Sequence, residues 1–281
     1  MAPVPSETPK AQTRRKIPIL GLVSLAALLI VPYPAAASED WCSAKPANGS
    51  HTLPASHSAH VTRCALRSEV HIAQSAELRL ATALASGAGP PLLPAVISGG
   101  GVTRLFHISG GTLELSHLIL ERGYNGTGAA ILVENGGQMH VFGGRTVVIR
   151  ESKTDNSHGG GLGGAIALIG NDSRHIRLMV SGTGTTLSVS GNVAQGGGAL
   201  YASSNGVAGR CEVIIEEGAQ LDLVNNTAAG KNGGGAHFKG AGTRLLVSGI
   251  QSKAIIEDNN AELQDKRINA PEGFSNALLF F

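Results

Sequence analysis

The sequence is poor in aromatic residues and rich in glycine. Only 4% of the 281 residues are Phe, Tyr or Trp, whereas 39 residues are glycine. A globular core usually takes much of its buried area from aromatic rings, so this chain must build its interior from Val, Ile, Leu and Ala. Such an interior suits many thin layers of short strands with glycines at the corners. The apolar fraction of 42% and the regular β-branched runs argue against disorder, which high glycine alone would suggest.

The chain also lacks a strong charge of one sign. Residues 1–37 carry a net charge of +3 and the other residues a net charge of −1, which together give the formal +2 of the whole chain. No basic patch remains outside the leader, so nucleic acid is not expected as a partner. No segment carries a capped apolar stripe with a period of 3.6 residues, and helices are therefore expected to be rare.

Residues 1–37 predict a signal peptide. Residues 14–16 form a positive n-region, residues 17–31 are uncharged and mostly apolar, and residues 35–37 are alanines that suit a cleavage site. The apolar stretch is shorter than the roughly 20 residues that a membrane span needs. An uncleaved signal anchor, associated with the membrane through this stretch, is the alternative. The chain is expected to be secreted or displayed at the cell surface, in the outer membrane if the source is bacterial.

Residues 38–68 are interpreted as a linker or N-terminal cap. In an exported protein Cys42 and Cys64 can form a disulfide that staples this segment, and three free thiols are the alternative. His51, His57 and His60 crowd the same segment, where imidazole and thiolate groups suit zinc. Their spacing matches no metal-binding signature, and neither a metal site nor a cofactor is predicted.

Four sequons occur in the chain. Three of them lie in predicted turns and are glycosylation sites only if the source glycosylates secreted proteins: Asn48, Asn125 and Asn171. The fourth, at Asn225, lies beside a repeated asparagine motif, and glycosylation is not expected there.

A glycine-rich motif recurs with a period of about 35 residues. Three copies read Gly163-Gly164-Ala165, Gly197-Gly198-Ala199 and Gly234-Gly235-Ala236, and residues 128–131 form a weaker copy. The alanines at positions 130, 165, 199 and 236 are separated by 35, 34 and 37 residues. Glycines allow positive φ at a tight corner, and a small alanine fits where the coil is narrow.

A second motif, aliphatic-x-x-Asn, keeps nearly the same period. It ends at Asn192, Asn226 and Asn259, which are 34 and 33 residues apart. Residues 149–152 read as a degenerate first copy that places Glu151 at the same corner. Stacked asparagines can bond through their amides to the residues above and below, and they tolerate a left-handed backbone.

Between these motifs each period reads strand, turn, strand, turn, strand, loop. If each coil bonds to the next, equivalent residues stack about 4.8 Å apart. The sequence therefore predicts an all-β fold: a right-handed single-stranded parallel β-helix of five to six coils over residues 69–266, with a tail at 267–281.

The two motifs together resemble the repeats of the chlamydial polymorphic outer membrane protein family, which alternate Gly-Gly-Ala-Ile with Phe-x-x-Asn. The resemblance covers about residues 126–260, and Val189, Leu223 and Ile256 stand where the family has Phe. It implies a β-helix of the pectin-lyase type and an adhesin role. The implied partner is an extracellular protein or glycan. An uncapped strand end also allows self-association.

Two other functions stay open. Parallel β-helices include polysaccharide lyases and hydrolases, which need clustered carboxylates. The aspartates here are scattered, and residues 155–159 resemble only part of a polygalacturonase site. No catalytic residue is therefore assigned. A structural wall or coat component is the other alternative.

Overall fold

In the computed structural model the described part of the chain comprises residues 50–52, 56–61, 63–82, 93–155, 160–170, 174–204, 210–261 and 268–269. These residues all belong to the compact unit that spans Ala36–Phe281. The predicted signal peptide and residues 270–281 lie outside the described residues. Every regular element in the described part is a β-strand, and none is a helix.

The strands form four parallel sheets, named A to D here. Sheet A contains Ser50–Thr52, Glu69–Ile72, Phe106–Ser109, Ile131–Glu134, Ile166–Gly170, Leu200–Ser204, Ala236–Lys239 and Ile268–Asn269. Sheet B contains Ser56–Val61, Glu77–Thr82, Thr112–Ser116, Gln138–Val141, His175–Ser181, Arg210–Glu216 and Thr243–Val247.

Sheets C and D complete the arrangement. Sheet C contains Arg63–Ala65, Ala95–Ser98, Leu118–Glu121, Thr146–Arg150, Thr186–Ser190, Gln220–Val224 and Lys253–Glu257. Sheet D is narrower and contains Tyr124–Asn125, Lys153–Thr154, Val193–Gly196, Thr227–Asn232 and Asn260–Ala261.

Neighbouring strands of each sheet come from successive passes of the chain, and from residue 131 onward these passes keep the repeat period. Ile166, for example, pairs with Ile131 on one side and with Leu200 on the other. In its described part the chain passes through sheets A, B and C seven times and includes sheet D in the last five of these passes. Residues one period apart therefore lie side by side, as the two sequence motifs predict.

The structure differs from the predicted repeat in two ways. Sheet D occupies the stretch that the sequence predicts as a closing loop. The sequence does not identify its strands because they are short and polar, with little alternation of apolar and polar residues. The described strands also begin at Ser50, inside the predicted linker, and this pass raises the number of described passes above the predicted five to six. The Ser- and His-rich strand Ser56–Val61 gives no aliphatic pattern by which to recognise it.

The interior consists of columns of aliphatic side chains. Along many strands buried and outward residues alternate, as in the buried–half-buried pattern of Thr112–Ser116. The central strands of sheet A, such as Leu200–Ser204, are instead buried at consecutive positions. One column in sheet B runs through register partners that follow one another from repeat to repeat: Leu80, Leu115, Val141, Val180, Ile215 and Val247. Burial of each such side chain stabilises the folded chain by roughly 1.5–3 kcal/mol. Many thin layers of aliphatic side chains therefore take the place of an aromatic core.

Candidate functional site

Three asparagines form a buried column at the corner between sheets C and D. Asn192 and Asn226 are fully buried, and Asn259 is 5% exposed. Asn192 Nδ2 donates to Asn226 Oδ1 at 2.9 Å, and Asn226 Nδ2 donates to Asn259 Oδ1 at 3.0 Å. The same two oxygens accept the backbone N–H of the preceding asparagine, at 3.0 and 2.9 Å. Because a buried polar group without a partner is costly, this column stabilises the stacking of successive repeats.

The column continues through Ser152, and the placement of Glu151 at this corner was wrong. The Ser152 N–H donates to Asn192 Oδ1 at 2.9 Å, and Ser152 Oγ accepts the Gly123 N–H at 3.2 Å. Glu151 comes one residue earlier, with a φ of 54° and a side chain that is 60% exposed. The left-handed conformation belongs to the residue before each asparagine, namely Gly191, Asn225 and Asp258.

The two glycines of the repeated motif have different roles. Gly163 and Gly197 have φ values of 66° and 63°, which suit glycine at a tight corner. A Cβ atom on Gly164 or Gly198 would lie 2.1 Å from the carbonyl oxygen of the glycine one repeat further on. The second glycine is therefore required by the close approach of two backbones.

The predicted third copy, Gly234-Gly235-Ala236, is one residue out of register. Ala236 pairs with Leu200, so Gly233 and Gly234 occupy the two glycine positions and Gly235 stands where the other copies have alanine. Gly233 has the expected positive φ of 47°. Three consecutive glycines precede Ala236, and the sequence alone cannot show which two of them form the corner.

The cysteines fall into two classes. Cys64 is disulfide-bonded and buried, whereas Cys42 lies outside the described residues. Cys211 is a buried free thiol whose Sγ donates to the Ser203 carbonyl at 2.9 Å. Burial raises the pKa of Cys211 to about 11.

The other residues singled out by the sequence do not form a reactive cluster in the described part. His51, His57 and His60 lie in the first strands of sheets A and B, and their side chains are outside the described part. No group of three or more His, Cys, Asp or Glu residues among the described ones is placed to hold a metal ion. Asp155 accepts the Tyr124 hydroxyl at 2.6 Å, while residues 156–159 are not described.

Only one of the three predicted glycosylation sites lies in the described part. Asn48 and Asn171 are outside it. Asn125 is half-buried at the end of its sheet D strand, and its Oδ1 accepts the Gly126 N–H at 2.7 Å.

The outward surface of sheet A carries a cluster of ionisable side chains, called the histidine cluster here: Glu69, His71, Arg104, His107 and Glu134. His71 and His107 are register partners in adjacent strands, and their rings stack with centroids 4.7 Å apart. His107 Nε2 lies 2.9 Å from Glu134 Oε1, and His107 Nδ1 lies 3.8 Å from Glu69 Oε1. Three successive repeats therefore meet at one imidazole ring.

Arg104 anchors this cluster to the corner that precedes sheet A. Its side chain is only 8% exposed, and Nη1 donates to Glu69 Oε2 at 2.9 Å. Nε and Nη2 donate to the carbonyl oxygens of Gly128 and Thr127, at 3.1 and 2.9 Å. A planar guanidinium suits this role because its donors diverge in a fixed fork.

The ion pairs fix the charge states of the cluster. Burial alone would lower the pKa of His107, but the hydrogen bond to Glu134 and the nearby Glu69 carboxylate outweigh it and raise the pKa to about 9. Contact with the His107 ring in turn holds the pKa of Glu69 and of Glu134 below the usual value. Burial and the neighbouring His107 cation lower the pKa of His71. Near neutral pH His107 is therefore a cation between two carboxylates, beside a neutral His71.

A recess of about 310 Å³ adjoins the histidine cluster at the corner between sheets A and B. It is lined by His71, Ala73, Gln74, Ser109, Asn135 and Arg174. Asn135 Nδ2 donates to Ser109 Oγ at 2.9 Å, and Arg174 Nη1 donates to the Asn135 carbonyl at 3.2 Å. His71 Nε2 is shielded from solvent and has no hydrogen-bond partner.

The two repeated motifs do not identify this cluster, although the sequence contains a signal for it. Residues 70–72 and 106–108 share one pattern, in which an aliphatic or aromatic residue is followed by His and then Ile. The two histidines are 36 residues apart. That spacing matches the repeat period and would have placed both rings on the same outward face. The glutamates and Arg104 follow no repeated pattern, and their convergence depends on the register of each strand.

Known protein families, curated proteins and solved structures provide no match to this chain. In the described part of the chain no helix has the length and apolar character needed to span a membrane. The function must therefore be inferred from the geometry of the chain itself.

Proposed function

We propose that this chain is a non-enzymatic binding module that acts outside the cell, secreted or on its surface, and uses the outward surface of sheet A for adhesion. In this proposal the four parallel sheets are the faces of a right-handed single-stranded β-helix, as in the polymorphic outer membrane proteins that the two motifs resemble. The predicted signal peptide favours an extracellular location. The disulfide at Cys64 agrees with an oxidising environment.

The histidine cluster is the observation that carries this proposal. Its polar side chains include the partly exposed His107 and Glu134, at 20% and 24%, and an ion pair holds these two in one arrangement. A surface that is already ordered loses less conformational entropy when a ligand binds. Because Glu69, His107 and Glu134 come from three adjacent strands, one partner can contact three successive repeats at once.

The charge states favour binding over polysaccharide cleavage. A general acid or base works best when its pKa lies near the operating pH. The pKa of each glutamate in the cluster is lowered and that of His107 is raised to about 9, so all three stay charged near neutrality. Such a network orients groups more readily than it exchanges protons.

Charge inversion on two different sheets tests the proposed binding surface. The full chain would be expressed in a secreting host, recovered from the medium or cell surface, labelled and titrated onto cultured cells and immobilised extracellular-matrix proteins. Glu134→Arg inverts a charge on sheet A, and Glu114→Arg inverts one on sheet B, where Glu114 Oε2 lies 3.6 Å from Arg79 Nε. We expect the first variant to lose capture and the second to keep it.

Four results would contradict the proposal. One is retention of the wild-type chain inside the host. Another is equal capture by both variants. The third is self-assembly of the wild-type chain without any capture, which would favour the structural wall or coat component. Hydrolysis or lyase activity on pectin-like substrates, abolished by Glu134→Gln, would favour the enzyme alternative.

A further inference from the structure

We propose that Asn225 accepts an N-linked glycan when the chain is exported through a secretory pathway that contains the glycan transferase. The inference rests on the extracellular location in the proposed function and adds a modification site at the corner between sheets C and D. Asn225, Asn226 and Thr227 form a sequon, which the sequence alone disfavours because it overlaps the repeated asparagine motif. The structure separates the two asparagines, since the buried column uses Asn226 and leaves Asn225 at the surface.

The two neighbouring asparagines have different surroundings. The Asn226 side chain is fully buried and donates to Asn259 Oδ1 at 3.0 Å. Asn225 is exposed, and with a φ of 56° it turns the chain from sheet C into sheet D. Its backbone N–H donates to the Glu257 carbonyl oxygen at 3.3 Å, while its side chain makes no hydrogen bond in the described part of the chain. A sugar on Asn225 Nδ2 would therefore leave the column intact.

The row of residues at this corner leaves room for a sugar. The register of sheet C places Gly191 beside Asn225 in the preceding pass and the exposed Asp258 in the following pass. Gly191 has no side chain, and a Cβ atom at this position would meet nothing within 4 Å. The next side chain in the row is that of Glu151, two strand spacings or about 10 Å from Asn225. The first sugar therefore has open space on the side of Gly191.

Glycan transfer replaces one N–H bond of the Asn225 amide by a bond to a sugar. Nδ2 bonds to C1 of an oligosaccharide carried on a polyprenyl diphosphate, the bond between C1 and the diphosphate oxygen breaks, and the amide loses a proton. The transferase requires a hydroxyl two residues after the asparagine, which Thr227 supplies. Transfer precedes folding in a secretory pathway, so the sequon provides the acceptor and the fold must then accommodate a bulky, solvated group.

Asn125 is the other sequon asparagine in the described part, and its surroundings are less open. Asn125 is half-buried, and its Oδ1 accepts the Gly126 N–H at 2.7 Å. That hydrogen bond fixes the orientation of the amide, whereas the exposed Asn225 amide is free of such a contact. Of these two asparagines, Asn225 is the one at which the fold accommodates a glycan with the smaller change.

The test is secretion of the full chain from a cultured eukaryotic host, followed by mass spectrometry of the peptide that contains Asn225. Treatment with peptide-N-glycosidase in heavy-oxygen water converts a glycosylated asparagine to labelled aspartate and so measures occupancy. We expect the secreted chain to be labelled at Asn225. Asn225→Gln and Thr227→Val should both abolish the label, whereas Thr227→Ser, which keeps the hydroxyl, should retain it.

A second measurement shows whether the folded chain accommodates the glycan. Urea unfolding of the glycosylated wild type is compared with that of secreted Asn225→Gln, which has the same exposed corner without the sugar. We expect the midpoint of the glycosylated chain to equal or exceed that of the variant, because the glycan displaces no buried contact.

The assignment is overturned if Asn225 is unmodified, if the glycan occurs only on chains retained inside the host, or if the glycosylated chain unfolds at a lower urea concentration than Asn225→Gln. The location of an unmodified chain separates this inference from the proposed function. In the medium, it contradicts the glycan site alone. Inside the host, it contradicts the glycan site and the extracellular location together. Cell capture that depends on Glu134 remains the separate measure of adhesion.

Discussion

Asn192 donates both its backbone N–H and its side-chain Nδ2 to one atom, Oδ1 of Asn226, although 34 residues separate the two in sequence. The bonded pair is buried at the corner between sheets C and D. Asn226 Nδ2 also donates to the carbonyl oxygens of Val189 and Val224, at 2.9 and 3.0 Å. One side chain thus satisfies backbone groups of two repeats, which links the repeat sequence directly to the stacking of the chain.

Replacing Asn226 should destabilise the protein far more than replacing its neighbour. Asn226→Ala leaves the buried donors of Asn192 without their acceptor, and the free energy of unfolding is expected to fall by about 2–4 kcal/mol. Asn225→Gly should change it by less than about 1 kcal/mol, because Asn225 is exposed with a φ of 56° that glycine adopts readily. Urea unfolding followed by circular dichroism measures both. Equal effects would show that the column contributes little.

The second glycine of the motif should tolerate no side chain. Gly198→Ala would bring a Cβ atom 2.1 Å from the Gly234 carbonyl oxygen, so a loss of about 3 kcal/mol or more is expected. Gly191→Ala is the matched variant, because its Cβ would meet nothing within 4 Å. Only its φ of 65° is unfavourable for alanine, and this conformation is expected to lower the free energy of unfolding by about 1–2 kcal/mol. Chemical denaturation of the two variants compares a steric cost with a conformational one. The idea fails if Gly198→Ala is the milder change.

The histidine cluster should make stability depend on pH at alkaline values. The folded-state pKa of His107 is raised to about 9, above the usual value of 6.5, so its contribution is complete below pH 6.5 and is lost as the pH rises through 9. Urea unfolding of wild type and His107→Gln at pH 6, 8 and 10 isolates this contribution from other groups. The difference in unfolding free energy between the two proteins should shrink with rising pH. A constant difference would show that His107 does not titrate in this range.

The Cys211 thiol should be unreactive in the folded protein. It is buried, its pKa is raised to about 11, and reaction with an alkylating reagent requires the exposed thiolate. Labelling with iodoacetamide at pH 8, followed by mass spectrometry, should be slow in buffer and fast in denaturing urea. Rapid labelling of the native chain would mean that the strand Arg210–Glu216 opens readily.

The sequence predicts the repeat better than it predicts the site. The paired motifs identify Asn192, Asn226 and Asn259 because each must satisfy the same buried corner, and this physical demand recurs in every repeat. Register within a glycine run is a weaker signal, which is why Gly235 was assigned to the wrong position. A polar strand such as Lys153–Thr154 has no aliphatic alternation, and sheet D was therefore interpreted as a loop.

The histidine cluster could not be derived in the same way. Glu69 and Glu134 lie in different repeats and belong to no recurring motif, and they converge only because His107 lies between them in the strand order. Outward residues are free to vary from one repeat to the next, since packing does not constrain them. A binding surface on stacked repeats is therefore visible only after the register is known.

Cross-linking of register partners is the most direct test of the account, because stacking in register underlies both the asparagine column and the histidine cluster. Ser188 and Asp222 are partners on the outward surface of sheet C, whereas Gln220 lies two residues earlier on the same strand as Asp222. Ser188→Cys combined with Asp222→Cys should form a disulfide under mild oxidation, as seen by mass spectrometry of non-reduced peptides. Ser188→Cys combined with Gln220→Cys should form little, because such a diagonal pair exceeds the roughly 7 Å that a disulfide spans. Equal cross-linking of the two pairs, or preference for the second, would contradict the account.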